Sequence, residues 1–467
     1  MNQRLYALHG WLGLNFGLVL FIVCLSGTIA VVSHEIDWLI TPAMRVSPQD
    51  ERASLDAMYQ AVQQAHPEAP IRSLLVPAGG RNAYEFWIAA KQGGTVRVFV
   101  DPHTGVVQGT TAWFNTQRFF RDFHRRFFWY SWWGIWLVAA YGFFLLGSAA
   151  TGLAFYKRWW AKLFVLRFAK GRRVFWSDLH RLTGVWTFLF SIVIAVTGIW
   201  YLFEIPLGWY DLPETARQPQ RIEKPEGKPV ADAEWLPVDE WVRIAGERLP
   251  GFEVRTIRIP RRPDAPAYLD GQTGALLVRD RANKILIDPC TGAVQFEQAA
   301  GDLAPLARWA DTADPLHFGN FGGLTSKLIW VLFGLALSAL MPTGAYLWVR
   351  RAAIQAAGAE RRLQAAGTDA DEARREIRRV IQRRTNAGII STTIIGLLTG
   401  YATFSAVRDQ FPETEGGDLW WSLGGAGAVA VYGGFLLLSI AATLFWYRCI
   451  WFLRPSSSFA EQKMTAC

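Results

Sequence analysis

The sequence has few charged residues and few cysteines for its length. Only 19% of its 467 residues are charged, and four are cysteines: Cys24, Cys290, Cys449 and Cys467. Because these cysteines form no CxxC or other ligand spacing, they argue against thiolate zinc and iron–sulfur sites. No glycine-rich dinucleotide motif follows a strand, and no P-loop or HExxH motif occurs. Nicotinamide, flavin, ATP and zincin-type metal sites therefore have no support.

Apolar residues make up much of the chain. Half of the sequence is hydrophobic (51%), and it contains 23 Trp and 30 Phe. Several apolar runs reach the roughly 20 residues that a membrane-spanning helix needs. We predict an α-helical integral membrane protein with six spans, at about residues 9–33, 131–156, 179–204, 326–349, 387–407 and 423–447. The net charge is +9, but the basic residues cluster beside these spans, so the charge does not indicate binding to nucleic acid.

The basic residues predict the orientation of the spans. Seven lysines and arginines, and no acidic residue, lie between residues 157 and 173, and ten arginines lie between 350 and 384. By the positive-inside rule both loops are cytoplasmic, and so are both termini. Residues 34–130 and 205–325 are then expected on the opposite side, which in a bacterium is the periplasm. The second basic loop has the composition of a solvated helix.

The most informative feature is an internal repeat. In each half a histidine precedes one glycine by four residues and a second by eighteen: His9, Gly13 and Gly27, then His180, Gly184 and Gly198. Spans two and four both end in Thr-Gly, at Thr151-Gly152 and Thr343-Gly344. A further histidine precedes each of these two spans, namely His124 and His317. The sequence is therefore predicted to be duplicated.

The two segments outside the membrane repeat as well. Alternating β-branched residues lead into Asp-Pro-x-Thr-Gly at 101–105 and again at 288–292, which predicts a strand, a tight turn and a second strand in a small α+β domain. The predicted organisation is two copies of helix, α+β domain and helix, with two spans appended. Its segments are 1–33, 34–130, 131–204, 205–325, 326–349, 350–386 and 387–467.

The histidines near the span ends are candidate cofactor ligands. A single histidine there is compatible with an interfacial position. A histidine that recurs in both halves, at the same spacing from two glycines, favours a ligand site. Two neutral imidazoles can take the axial positions of a haem iron. Antiparallel spans would pair His9 with His180 near one surface and His124 with His317 near the other, which predicts two haems. The glycines are expected to make room for the flat macrocycle, or to allow close helix packing.

Three arginines follow proposed ligands directly, and they could pair with haem propionates. They are Arg125 and Arg126 after His124, and Arg181 after His180. The alternatives are topology charge for Arg181 and ordinary solvated charge for the other two. Five phenylalanines before span two could line a substrate cleft, or could be packing and anchoring residues: Phe114, Phe119, Phe120, Phe123 and Phe127.

These motifs together resemble the PepSY-associated transmembrane family over about residues 1–350. The features that carry the resemblance are the His-x-x-x-Gly of span one, the Ser-Gly and Thr-Gly span ends, the two Asp-Pro-x-Thr-Gly hairpins, and Leu316-His317-Phe318-Gly319. The resemblance implies two periplasmic PepSY-like domains on a four-span core, from which predicted spans five and six depart. It also implies a bacterial inner-membrane ferric-siderophore reductase with two haem b groups. By motif the haem ligands carry over onto His9, His180, His124 and His317, with His34 as a further candidate.

The predicted function is therefore electron transfer across the inner membrane to a ferric siderophore, which releases ferrous iron. The electron donor is a quinol or an unidentified cytoplasmic partner, and the remaining partner is membrane lipid. One alternative is a non-enzymatic PepSY membrane regulator, which would have no use for histidines at both faces. Another is a haem or siderophore permease, which would be expected to carry polar or broken helices at the midplane.

Overall fold

The computed structural model describes residues 3–90, 94–209, 235–262, 265–365 and 419–451, with isolated positions between 366 and 418. Its helices are α1 (Gln3–Val31), α2 (Ser33–Ile40), α3 (Leu55–Ala65), α4 (Thr116–Arg126), α5 (Trp132–Phe155), α6 (Arg172–Trp186), α7 (Phe188–Trp209), α8 (Val238–Arg248), α9 (Pro305–Phe318), α10 (Gly323–Ala365), α11 (Leu419–Ser422) and α12 (Gly425–Trp451). Its strands are β1 (Ile71–Leu75), β2 (Tyr84–Ala89), β3 (Thr95–Val100), β4 (Val107–Ala112), β5 (Glu253–Arg258), β6 (Ala267–Gln272), β7 (Asn283–Ile287) and β8 (Val294–Gln298).

Five of the described helices are long and apolar enough to cross a membrane. They are Gln3–Val31, Trp132–Phe155, Phe188–Pro206, Asn320–Leu363 and Gly425–Tyr447. They correspond to predicted spans one, two, three, four and six, so the chain is a multi-pass membrane protein. The predicted span at 387–407 lies outside the described residues, apart from two isolated positions. Helix α10 continues to Ala365, well beyond the predicted end of span four.

Predicted span three is not one uniform helix. Polar α6, which carries His180, ends at Trp186, and apolar α7 begins at Phe188. The Thr187 amide donates to the Thr183 carbonyl (2.9 Å) across this junction. The two helices therefore follow each other almost without a break, and the hydrophobic span begins nine residues later than predicted.

The strands form one eight-stranded antiparallel sheet in the order β4-β3-β2-β1-β5-β6-β7-β8. Residues 34–130 and 205–325 each contribute four strands to the sheet and one of the two helices, α3 or α8, that cover it. The two halves join where Leu74 of β1 pairs with Ile257 of β5. Apolar residues of one face of the sheet pack beneath α3 and α8, against Met58 of α3 and Trp241 of α8. The Asp239 carboxylate of α8 also accepts hydrogen bonds from the amides of residues 55 and 56, at the start of α3. The two predicted α+β domains thus share one sheet and one core.

The other face of the sheet carries buried charged residues. Arg97 and Glu85 form an ion pair (3.1 Å) with both side chains almost inaccessible to solvent. In the other half Asp270 and Lys284 are paired residues of β6 and β7, and both are buried. Because burial removes water from a carboxylate, it raises the pKa of Asp270 to about 6, although the Thr256 hydroxyl donates to it.

This carboxyl predicts a pH dependence of stability. In the unfolded chain an Asp titrates near about 3.9, so the folded state holds this proton more tightly. The free energy of unfolding should fall as pH rises from about 4 to about 6, by roughly 3 kcal/mol, and then level off. Asp270→Asn should abolish that fall, measured by thermal unfolding in detergent between pH 4 and pH 8. The exposed carboxyl variant Asp302→Asn is the control, and an unchanged slope in Asp270→Asn would contradict the prediction.

Helix α4 is fixed at its first turn and along its apolar face. The Asp37 carboxylate accepts hydrogen bonds from the amides of Thr116 (3.0 Å) and Gln117 (2.9 Å), which would otherwise lack partners at the helix start. The five phenylalanines of residues 114–127 are buried, and rings of α4 pack on Tyr432 and Phe435 of α12. Packing is therefore their role, and the interpretation of these rings as a substrate cleft is wrong.

Candidate functional site

Two cavities inside the helical bundle are each lined by one pair of histidines. The larger, about 380 Å³, contains His124 and His317 and reaches charged residues below the sheet. We call it the sheet-side cavity. The smaller, about 140 Å³, contains His9 and His180, and we call it the far-side cavity. The structure thus brings together the two histidine pairs that the repeat predicts, whereas His34 lines neither cavity.

The ring separations suit a metal between two imidazoles. The ring centroids are 6.0 Å apart for His124 and His317, and 6.4 Å apart for His9 and His180. With metal–nitrogen bonds of about 2.0 Å and a centroid about 1.1 Å behind each nitrogen, two axial imidazoles would place their centroids roughly 6.2 Å apart. Both pairs match this spacing. Among the described residues, no His, Cys, Asp or Glu side chain joins either pair to make a metal-binding group of three or more.

All four imidazoles are held in the same way through Nδ1. A hydroxyl oxygen of a neighbouring helix lies near each Nδ1: Ser26 at His124 (3.4 Å), Thr151 at His9 (3.3 Å), Thr197 at His317 (2.9 Å) and Thr343 at His180 (3.0 Å). These hydroxyls donate to carbonyl oxygens of their own helices, so each can accept from an Nδ1–H. The tautomer that follows leaves Nε2 as the metal-binding nitrogen.

Backbone carbonyls support this tautomer in two of the four rings. Nδ1 of His124 donates to the carbonyl oxygen of Val23 (2.9 Å), and Nδ1 of His9 donates to that of Ser148 (3.0 Å). A carbonyl oxygen can only accept, so these contacts fix the proton on Nδ1. Burial, followed by the neighbouring His124, lowers the pKa of His317 to about 4, and burial lowers the pKa of His124. Both imidazoles of the sheet-side cavity are therefore neutral at pH 7, the form that binds a metal.

The glycines of the Ser-Gly and Thr-Gly motifs lie against these rings. A Cβ added to Gly27 would be 2.6 Å from Cε1 of His124, and one added to Gly152 would be 3.2 Å from Cε1 of His9. The same added atom would be 3.2 Å from Cε1 of His180 at Gly344, and 3.9 Å from Cε1 of His317 at Gly198. These four glycines give room to the imidazoles, and all four also line the two cavities, where the sequence predicts room for a macrocycle.

Two other predicted glycines leave open space. Within the described residues, a Cβ on Gly13 would meet no atom within 4 Å, and one on Gly184 would meet only Leu340, at 3.9 Å. Both line the far-side cavity, one turn along the helix from His9 and His180. Gly13 and Gly184 therefore leave open space in the far-side cavity.

The helix that carries His317 ends immediately after it. Gly319 adopts a left-handed conformation (φ 66°) and terminates α9, and its amide donates to the carbonyl of Pro315 (2.8 Å). A Cβ at this position would overlap the ring of Trp330, whose Nε1 donates to the Leu316 carbonyl (3.0 Å). The glycine thus fixes the end of the ligand helix against α10.

The three predicted arginines are in different environments. Arg125 lines the sheet-side cavity. Arg126 lines neither cavity, and its guanidinium lies 5.3 Å from the ring centroid of Tyr130. Arg181 lines the far-side cavity, but it is already bonded to the buried Asp178 carboxylate. Of these three arginines, Arg125 alone lines a cavity without an ion pair to any residue that the structure describes.

Charged residues that the sequence analysis missed surround the mouth of the sheet-side cavity. Arg279 forms ion pairs with Glu204 (3.1 Å), Asp314 and Asp311 (3.9 Å). Burial alone would lower the pKa of Arg279, but these carboxylates raise it. Tyr201 donates its hydroxyl hydrogen to Asp314, and its ring lies 5.6 Å from that of His317. Asp314 could have been noticed, because it lies one helical turn before His317, whereas Arg279 carries no local signal.

Comparison with known proteins agrees with this architecture. The sequence profile of the family described as "PepSY-associated TM region" matches residues 6–351. The chain is also 24% identical over 238 residues to the uncharacterized protein PA4219 of Pseudomonas aeruginosa, which is 46% of this chain and 59% of that protein. The chain thus covers about three-fifths of the length of this curated relative.

Proposed function

The chain belongs to the PepSY-associated TM family, and within it we propose that it is a dihaem oxidoreductase of the bacterial inner membrane that reduces a ferric siderophore. The proposal includes six spans in a duplicated arrangement, cytoplasmic termini and a sheet in the periplasm. Haem b is the proposed cofactor at two sites, and a quinol or a cytoplasmic protein is the proposed electron donor. Ferric iron in its chelate is the substrate, and ferrous iron is released because siderophore ligands hold it far less tightly.

One observation carries the proposal. Two pairs of imidazoles, near opposite ends of the bundle, have the ring separations of axial ligand pairs, 6.0 and 6.4 Å. Their Nδ1 atoms all contact hydroxyl or carbonyl groups, which leaves Nε2 as the nitrogen that can bind a metal. A regulator that used its helices only as an anchor would have no need for this arrangement at either end.

The hydroxyl-bearing residues of the chain would act mainly by holding and orienting the four imidazoles. When bound, haem would supply a one-electron carrier near each membrane surface. The hydroxyls of Thr151 and Thr343 hold His9 and His180, and those of Ser26 and Thr197 hold the sheet-side pair. Because rings fixed in this way need little rearrangement when iron changes its charge, the site is suited to electron transfer.

The sheet-side cavity is the natural end of the electron path. It extends from apolar residues such as Leu20 to Arg281 and Glu204 near the sheet, so an acceptor at its mouth would be close to the His124–His317 pair. The far-side cavity is smaller and mostly apolar, and Tyr156 and Phe188 are among its lining residues. A membrane-dissolved or cytoplasmic donor would approach from that end.

An absorption spectrum of the purified full-length chain tests the proposal. We expect about two haems per chain and a sharp α-band after reduction with dithionite, as for iron with two histidine ligands. Colourless protein from cells supplied with iron and a haem precursor would overturn the proposal and favour the regulator.

A second assay separates a reductase from a haem carrier or a permease. The reduced protein is mixed with a ferric siderophore and a ferrous chelator, and reoxidation of the haem is followed together with formation of the coloured ferrous complex. We expect the two signals to rise together, with one ferrous iron for each haem oxidised. Haem that stays reduced would contradict the reductase.

A further inference from the structure

We infer that Arg121 and Arg125 form a two-guanidinium site that binds the paired carboxylates of a porphyrin in the sheet-side cavity. The inference rests on the proposed function, since it concerns the same cavity. It assigns Arg121, which carries no motif, and it predicts that only the sheet-side site recognises the charge of these carboxylates.

The first argument is position. Arg121 and Arg125 lie four residues apart on α4, so their side chains are neighbours on one side of the helix, with Cβ atoms roughly 5–6 Å apart. His124 lies between them in the sequence, and all three residues line the same cavity. Both arginine side chains are exposed, although their helix is packed between α1 and α5. The two guanidinium groups therefore lie at the edge of the space next to a candidate iron ligand.

The second argument is that these two charges lack partners, whereas other arginines nearby have them. Within the part of the chain that the structure describes, neither Arg121 nor Arg125 makes an ion pair or a hydrogen bond. The neighbouring guanidinium groups have partners. Those of Arg118 and Arg126 lie over the rings of Trp113 and Tyr130. Those of Arg279 and Arg281 form ion pairs with the carboxylates of Glu204 and Asp311. Four arginines line the cavity, and the two without an ion pair share one helix.

The third argument is electrostatic. The like charges of Arg121 and Arg125 on neighbouring turns of one helix repel each other, and an anion between them would remove that repulsion. Planar guanidinium groups bind carboxylates through paired hydrogen bonds. A porphyrin with two propionates on one edge supplies two such groups.

The far-side cavity differs in this respect. Its arginine, Arg181, already bonds the Asp178 carboxylate, and Asp178 also accepts from Arg167 (2.8 Å). A porphyrin carboxylate would have to compete with that buried acid. Recognition of porphyrin charge should therefore be strong at the sheet-side site and weak at the other.

Porphyrin titration tests this difference. The full-length chain is produced under haem limitation with His9→Ala, so that only the sheet-side site remains, and is titrated with haem or with haem dimethyl ester while the Soret band is followed. We expect haem to bind about 10- to 100-fold more tightly than the ester. With Arg121→Gln and Arg125→Gln together, the two porphyrins should bind with nearly equal affinity. Arg126→Gln, one residue away and outside the cavity, is the matched control and should keep the preference.

The outcomes are distinct. An unchanged preference in the double variant would overturn the inference, while haem binding itself would leave the proposed function standing. A second outcome would also overturn the inference: the double variant keeps its preference for haem over the ester, but it reduces ferric citrate more slowly than a neutral ferric hydroxamate. The two arginines would then bind carboxylates of the iron chelate and not those of the porphyrin. If neither porphyrin binds to the parent protein with His9→Ala, the proposed function itself fails at this site.

Discussion

Replacing His317 with alanine is expected to remove one of the two haems and to leave the other in place. The imidazole of His317 faces that of His124 across the sheet-side cavity, and within the described residues no other histidine lines that cavity. Because a haem with one protein ligand is held far less tightly than one with two, the purified variant should contain about one haem per chain where the parent contains about two.

The corresponding substitution in the far-side cavity strengthens the test. His9→Ala should remove the far-side haem, and the double variant His9→Ala with His317→Ala should be colourless. His34→Ala is the matched control, since His34 lies near the sheet-side end of α1 but lines neither cavity. Haem content and the reduced absorption spectrum are the measurements. A haem content that stays near two in both single variants would exclude these pairs as the ligands.

The second large effect is expected from Gly27→Ala, which replaces one hydrogen atom of the glycine with a methyl group. Alanine there places a methyl group 2.6 Å from Cε1 of His124 and 2.9 Å from Nδ1, closer than real contacts allow. The ring must move, which breaks its bonds to Ser26 and to the Val23 carbonyl and turns Nε2 away from the cavity. Overpacking of this kind costs about 1–3 kcal/mol, and we expect the sheet-side haem to be lost.

Gly198→Ala is the matched control for this substitution. Gly198 has the corresponding place in the other half, but a Cβ there would be 3.9 Å from Cε1 of His317, an ordinary contact. That variant should keep about two haems per chain, so haem content distinguishes the two alanines. Equal loss in both variants would show that helix packing, rather than the position of the ring, decides occupancy.

The sequence predicted the elements of this protein well where the signal was local. Five of the six predicted spans correspond to described apolar helices, because a run of about 20 apolar residues has few other stable environments. The Asp-Pro-x-Thr-Gly turns are followed by β4 and β8, as expected of a hairpin. The hydrophobic start of α7 was placed too early, because the polar turns of α6 join it with only Thr187 between them.

The sequence predicted the pairing of the histidines, but it did not indicate which groups hold their rings. The spacing of histidines and glycines identified the imidazoles and the small residues beside them. Gly152 and Gly344 line the far-side cavity, where the sequence predicts room for a macrocycle, and they also lie against imidazoles of other helices, which the sequence did not indicate. The hydroxyls of Thr151 and Thr343 received no role in the prediction, although they hold those same rings.

What the sequence determined by itself is which segments are apolar helices, which form strands, and which residues recur at equal spacing. These properties depend on neighbours within a few turns of the same chain. Only the tertiary structure decided that Arg121 lies at a cavity while Arg126 stacks on Tyr130, and that Arg279 reaches three carboxylates from other segments. Such contacts join residues that are distant in sequence, and they depend on how helices pack, which no local spacing records.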